Sequence, residues 1–372
     1  MAQKLGFGFM RLPLTDRGDQ TSVDTGMVNR MVDTFLARGF TYFDTAYMYH
    51  NFRSEEFLRE SLVKRHDRNT FTVASKLPVM MLKSESDNER IFNEQLSKCG
   101  VAYFDYYLLH NLNANDYDAL ENFHCFDFVK QKKAEGKIKH MGFSFHDSPE
   151  LLDRILTDHP EAEFVQLQIN YLDWDSAGVQ SRRCYETAVK HGKPVIVMEP
   201  VKGGMLAKVP EKAEQAFKAV HSDWSDSSWA LRFAASRKNV MMVLSGMSDY
   251  DQLEENTSVM QNFIPLTGQE DTVVATAARI INESIAVPCT GCRYCVDGCP
   301  KHIPIPVYFS IYNERKRAPE GGFDAQKMYY QNYAKNNGRA SDCIGCRLCE
   351  RACPQHLRVP EYLKQVAAQF EN

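Results

Sequence analysis

Between residues 1 and about 265, eight short β-rich runs alternate with longer amphipathic stretches, and this alternation leaves few folds open. The runs are KLGFGF at 4–9, TYFDTA at 41–46, FTVASKL at 71–77, YFDYYLLH at 103–110, KHMGFSF at 139–145, FVQLQIN at 164–170, PVIVME at 194–199 and VMMVLSG at 240–246. Segments between them, such as VDTGMVNRMVDTFLARG and SDNERIFNEQLSKCG, carry apolar residues three and four apart, as helices packed on a sheet do. Gly39 and Gly100 at their ends suit helix C-termini. Strands joined by helical crossovers make a parallel sheet, and eight such units in about 260 residues match a (β/α)8 barrel. A doubly wound sheet shares the count. A nucleotide-binding sheet of that kind would place GxGxxG after its first strand, with an acidic residue about 20 positions on. LGFGFM lacks that geometry, so the fold expected over residues 1–265 is an α/β TIM barrel.

The chain has eleven cysteines, and eight of them fall in its tail. Cys99, Cys125 and Cys184 stand singly in the barrel region, where a small buried apolar side chain is the expectation. An odd total with no visible secretory leader in MAQKLGFGFM argues against a disulfide framework and for metal ligation in the cytoplasm. Cys289, Cys292, Cys295 and Cys299 precede Pro300, and Cys343, Cys346, Cys349 and Cys353 precede Pro354, so each run reads CxxCxxCxxxCP. A tetrahedral zinc site uses CxxC pairs but has no role for the third and fourth cysteines with their proline. The runs resemble those of bacterial ferredoxins, which implies two [4Fe-4S] clusters with crossed ligands. One set would be Cys289, Cys292, Cys295 and Cys353; the other would be Cys343, Cys346, Cys349 and Cys299. The long spacer between the runs resembles helical dicluster ferredoxin domains fused to oxidoreductases. Residues 266–287 read as a linking helix and 288–372 as this small, mainly helical domain. Pro319 and the Gly321-Gly322 pair break its helices, and Tyr308, Phe309, Tyr312, Phe323, Tyr329, Tyr330 and Tyr333 are expected to pack its core.

Other function classes are disfavoured by composition. Forty-four basic against 48 acidic residues give a net charge of -4, which provides no footprint for nucleic acid or anionic lipid. No apolar run is long enough to cross a membrane.

Near the C-terminal ends of the second, third and fourth strands stand Asp44, Lys76 and His110, with Tyr49 just beyond Asp44. Those ends form the rim where barrel active sites are built. A phenol used as an acid near neutral pH needs a nearby cation, and a buried lysine needs a counter-ion; Tyr49, Lys76 and Asp44 supply that chain. His110 can hydrogen-bond a carbonyl oxygen.

The segments FDTAYMY, TVASKL and DYYLLHN resemble the catalytic segments of the aldo-keto reductases, and Asp44, Tyr49, Lys76 and His110 match that family's tetrad. The opening GFGFMRLP and the cysteine-rich tail resemble its bacterial subgroup with a C-terminal ferredoxin-type domain. The resemblance implies hydride transfer from NADH or NADPH to a small aldehyde or ketone, with Tyr49 protonating the oxygen. It also implies a cofactor site at Gly8, Ser144, Gln166, Glu255 and Asn256. Phe145 replaces the family's usual asparagine, and Glu199 stands where many members stack an aromatic ring on the nicotinamide. Gly246 and Gln252 replace the lysine and arginine of NADP-preferring members, which favours NADH. Met48, Tyr171 and Trp174 are candidates for lining the substrate pocket.

A nicotinamide moves two electrons and each cluster one, so direct wiring calls for an intermediary such as a flavin. No flavin motif is evident, although barrels bind FMN without one. Two function classes follow. One is a carbonyl reductase whose clusters are structural or serve a redox partner protein. The other is an iron-sulfur electron-transfer protein whose barrel is a docking or flavin-binding platform.

Overall fold

The computed structural model describes residues 3–371 except 17, 115, 177–178 and 318–324. Pro319, Gly321, Gly322 and Phe323 therefore lie outside the described residues. Eight strands, β1 (Leu5–Gly8), β2 (Tyr42–Asp44), β3 (Thr72–Leu77), β4 (Phe104–Leu112), β5 (Ile138–Phe145), β6 (Phe164–Gln168), β7 (Val195–Met198) and β8 (Val240–Ser245), close in sequential order into an all-parallel barrel. Each run read as a strand overlaps one of them, with β4 running two residues past its run and β5 starting one residue before its own.

Local chemistry sets the helix boundaries. The Asp24 side chain accepts the Met27 N–H at 2.9 Å and starts the helix Thr25–Ala37. Ser148 caps the helix Pro149–Asp158, and left-handed Gly100 ends Ser86–Cys99. Phe7, Phe35 and Phe43 join the strands to the first helix through ring contacts of 5.3–6.1 Å. Cys99, Cys125 and Cys184 are buried, as small apolar side chains should be.

Inside the barrel, Tyr42, Ala74, Leu108, Phe164, Ile196 and Leu244 form a packed layer. Glycines make room for its large members. A Cβ at Gly6 would meet Leu244 at 2.6 Å, and one at Gly142 would meet the Phe164 ring at 2.9 Å.

The chain divides into two compact units, the second drawn mainly from Val201–Asp226 and Gly268–Asn372. The second unit thus includes the segment that follows β7 as well as the tail. Its core holds Val287, Tyr308, Phe309, Tyr312, Tyr330 and Phe370, from the helices Ile305–Arg317, Ala325–Ala334 and Val359–Phe370 and the segment before them. Tyr329 and Tyr333 depart from expectation. They are 52% and 45% exposed, because the helix turns only its Tyr330 side into the core. Among the described residues no helix is long and apolar enough to cross a membrane.

Candidate active site

Side chains alternate along a strand, so residues two beyond the packed layer also face the barrel interior. Two beyond Tyr42 is Asp44, two beyond Ala74 is Lys76, two beyond Leu108 is His110, and two beyond Phe164 is Gln166. The next layer toward the C-terminal rim is therefore polar. Lys76 Nζ donates to Asp44 Oδ1 at 2.5 Å and to the Thr45 carbonyl at 2.7 Å. Both side chains of the pair are almost wholly buried. Burial pushes Asp44 up and Lys76 down, and each offsets the other's shift.

Tyr49 follows β2 in a turn where His50, Asn51 and Phe52 all have positive φ. Its ring lies 5.1 Å from Lys76 Nζ and 5.9 Å from the His110 ring, edge to face. Tyr49 keeps some surface open at the rim, yet the surrounding protein and the Asp44 carboxylate push its phenol above the usual range. This corrects the expectation that Lys76 lowers it. The ammonium is engaged by Asp44 and Thr45 and lies over the Tyr49 ring. His110 is buried and held neutral, its pKa driven well down by burial and then by Lys76 and His146. Its Nδ1 has no hydrogen-bond partner among the described residues.

The expected cofactor residues lie around this layer. Ser144 Oγ accepts the Asn111 N–H at 2.7 Å, which leaves its hydroxyl proton to donate. Gln166 Nε2 donates to Met198 Sδ at 3.5 Å, and its buried Oε1 has no partner among the described residues. A hydroxyl donor beside an orphaned amide acceptor fits a primary carboxamide such as that of nicotinamide. A Cβ at Gly8 would lie 3.4 Å from the Ser245 carbonyl, and Asn256 Nδ2 donates to Ser245 Oγ at 3.1 Å. Glu255, beside Asn256, is on the helix Tyr250–Gln261. Met48 is partly exposed. Tyr171 and Trp174 instead pack on Phe233, at 6.0 Å and 5.6 Å.

In the second unit the two cysteine runs share one backbone pattern. Left-handed residues recur at matching positions: Gly291 and Gly345, Arg293 and Arg347, His302 and His356. Cys353 lies close enough to raise the thiols of Cys289 and Cys295, and Cys343 and Cys346 raise that of Cys349. Burial is the larger cause each time, and it brings Cys289 and Cys349 each to about 11. Among the described residues no three His, Cys, Asp or Glu converge as the ligands of a single metal ion would. Two sets of thiols that sense one another suit iron-sulfur groups, which also stabilise the thiolate form.

The Aldo/keto reductase family model matches residues 4–275. The chain belongs to the aldo/keto reductase family. A second model, the 4Fe-4S dicluster domain, matches residues 288–359, so this family member is an oxidoreductase barrel followed by an iron-sulfur domain. An aldo-keto reductase from Bacillus halodurans in its holo form is 22% identical with a TM-score of 0.61, covering 74% of this chain and 91% of its own. One from Klebsiella pneumoniae in complex with NADPH is 18% identical with a TM-score of 0.59, covering 75% and 90%. At these identities the likeness concerns the fold. No curated protein matches.

Several residues that shape the site of this aldo/keto reductase family member carry no motif. Arg11 Nη1 pairs with Glu199 Oε1 at 2.9 Å, and Tyr49 senses both charges. His50 accepts the Leu12 N–H at 3.3 Å on Nε2 and so donates from Nδ1 to the Gln20 carbonyl at 2.8 Å, holding the turn that carries Tyr49. Behind β3, buried Glu55 accepts from Ser75 Oγ at 2.6 Å and Gln95 Nε2 at 2.7 Å. Gln95 also donates to the Lys76 carbonyl at 3.0 Å and so fixes that strand position.

Proposed function

We propose that the protein reduces a small aldehyde or ketone with a nicotinamide cofactor and carries two [4Fe-4S] clusters on the crossed cysteine sets. Residues 1–265 would be the catalytic domain, 266–287 the link and 288–372 the cluster domain. The observation that carries this reading is the convergence of Asp44, Tyr49, Lys76 and His110 in one polar layer at the barrel rim.

Ser144 and Gln166 would hold the carboxamide of the nicotinamide, and Gly8, Glu255 and Asn256 would line the rest of the cofactor's path. The bound cofactor supplies a hydride to the carbonyl carbon. His110, neutral and with a free ring nitrogen among the described residues, orients the carbonyl oxygen. Tyr49 holds its proton at neutral pH and gives it to the developing alkoxide, with the Lys76 ammonium 5.1 Å from its ring. Asp44 keeps Lys76 charged. Gly246 and Gln252 support NADH as the preferred cofactor: Gln252 is engaged by Ser248 and Asp249 at 2.8 Å and 2.7 Å instead of offering a cation. Thiolate ligation suits the reducing cytoplasm.

Tyr49→Phe tests the mechanism. Carbonyl reduction by NADH, assayed anaerobically over aldehydes and ketones, should fall roughly 10²- to 10⁴-fold. An undiminished rate would remove Tyr49 as the acid.

A second reading, an electron-transfer protein with a flavin-binding or docking barrel, is favoured by one feature: Glu199, paired to Arg11, occupies the aromatic's place. Flavin analysis of anaerobically purified protein separates the two readings. Stoichiometric FMN without carbonyl reduction supports the second, whose clusters would serve a redox partner protein.

A further inference from the structure

The two cysteine runs are local copies of one another, so each is a control for the other. Their surroundings differ. Thr290, after the first cysteine of one run, is 6% exposed, whereas its counterpart Ile344 is 63% exposed. Cys346 is likewise exposed, and its counterpart Cys292 is partly covered.

The covering element is the loop after β7. It turns through three successive left-handed residues, Lys202 (φ 47), Gly203 (φ 64) and Gly204 (φ 94). At Gly203 it runs so close to the first cysteine run that a Cβ would collide with the Thr290 carbonyl oxygen. Glycine meets both demands. The same turn sends Lys202 inward until it is 2% exposed, with Nζ donating to Gln355 Oε1 at 3.0 Å. Gln355 is buried and lies two residues beyond Cys353. Its counterpart in the other run is Lys301, which is exposed.

We propose that Lys202 is a built-in cation for the cluster held by Cys289, Cys292, Cys295 and Cys353, making that cluster easier to reduce and setting it apart from the other. This rests on the cluster reading above. Reduction adds one negative charge to a cluster. A cation kept out of water nearby stabilises that charge, whereas an exposed one such as Lys301 is screened.

The test is an anaerobic redox titration of the full chain, monitored by electron paramagnetic resonance, with iron and sulfide measured on each sample. Lys202→Gln removes the charge; Gln355→Glu leaves Lys202 in place and neutralises its field with a carboxylate. Each should make reduction of one cluster about tenfold less favourable, 59 mV for one electron, and leave the other within twofold. Lys202→Arg should titrate like the parent. Equal shifts of both clusters, no shift in either variant, or loss of half the iron in both would overturn the inference. Wild-type protein lacking eight irons would instead overturn the cluster reading.

Discussion

Asp44→Asn should destabilise the barrel by about 3–5 kcal/mol, the usual cost of stranding one partner of a buried ion pair. The pair meets that condition fully: a 2.5 Å contact between side chains 0% and 4% exposed. Asparagine keeps the volume and removes the charge, so Lys76 must either hold an uncompensated ammonium or release its proton, which burial already favours. For a barrel of this size each kcal/mol moves the midpoint by roughly 2–4 °C, so a drop on the order of 10 °C is expected. Tryptophan fluorescence follows the barrel, because Trp174 and Trp229 lie in the first unit and only Trp224 lies in the second. Adding Lys76→Met to Asp44→Asn replaces the pair with two neutral side chains and should recover at least about 2 kcal/mol. The phenol of Tyr49 should also titrate lower in Asp44→Asn, since Asp44 raises it. A loss under about 1 kcal/mol, or a double variant as unstable as the sum of the singles, would refute the argument that the pair is a coupled, desolvated unit.

Acid sensitivity follows from His110 and His50, whose folded pKa values are both depressed by burial. Below pH 6.5 the unfolded chain binds protons these sites refuse, so stability is lost as the pH is lowered, by roughly 1.4 kcal/mol per unit for each histidine. His110→Gln should remove one such proton from the slope measured by urea unfolding, and an unchanged slope would show that His110 already titrates when folded. Crossed ligation predicts that Cys292→Ala with Cys353→Ala retains about four irons, whereas Cys292→Ala with Cys299→Ala retains almost none; the reverse order would show that each run binds its own cluster. Gly246→Lys with Gln252→Arg should raise kcat/KM for NADPH relative to NADH about 10- to 100-fold, the worth of one or two charged hydrogen bonds. No change would place the adenosine phosphate elsewhere.

Much of the barrel was legible because period-two apolar patterning is a local signal. The candidate tetrad was legible for a related reason. Asp44, Lys76 and His110 each lie two residues beyond an inward apolar side chain, so the pattern that marks the strand also marks the polar layer. Strand ends were less clear. β4 runs on to Leu112 past a register shift, with Asn111 left-handed, and no local signal marks that bulge. Arg11 and Glu199 are 188 positions apart, Lys202 and Gln355 are 153 apart, and all four sit in or beside loops without periodicity. Their pairing depends on closure of the barrel and on folding of the second unit. Tyr329 and Tyr333 were misjudged because aromatic content marks a core without saying which helix face meets it.

The stretch from Glu199 to Gly204 has a common logic. Four of its six residues are left-handed, and two of those, Glu199 (φ 56) and Lys202 (φ 47), are not glycine. Each costs on the order of 1–3 kcal/mol, and glycine would avoid it at both positions. A chain that uses glycine at 203 and 204 has no stereochemical reason to hold charged side chains at 199 and 202. Interactions of those side chains and their backbone offset the strain. Glu199 pairs with Arg11, its carbonyl accepts from Asn170 Nδ2 at 3.1 Å, and Lys202 meets Gln355. In this stretch the left-handed positions without glycine are the two whose side chains make those polar contacts.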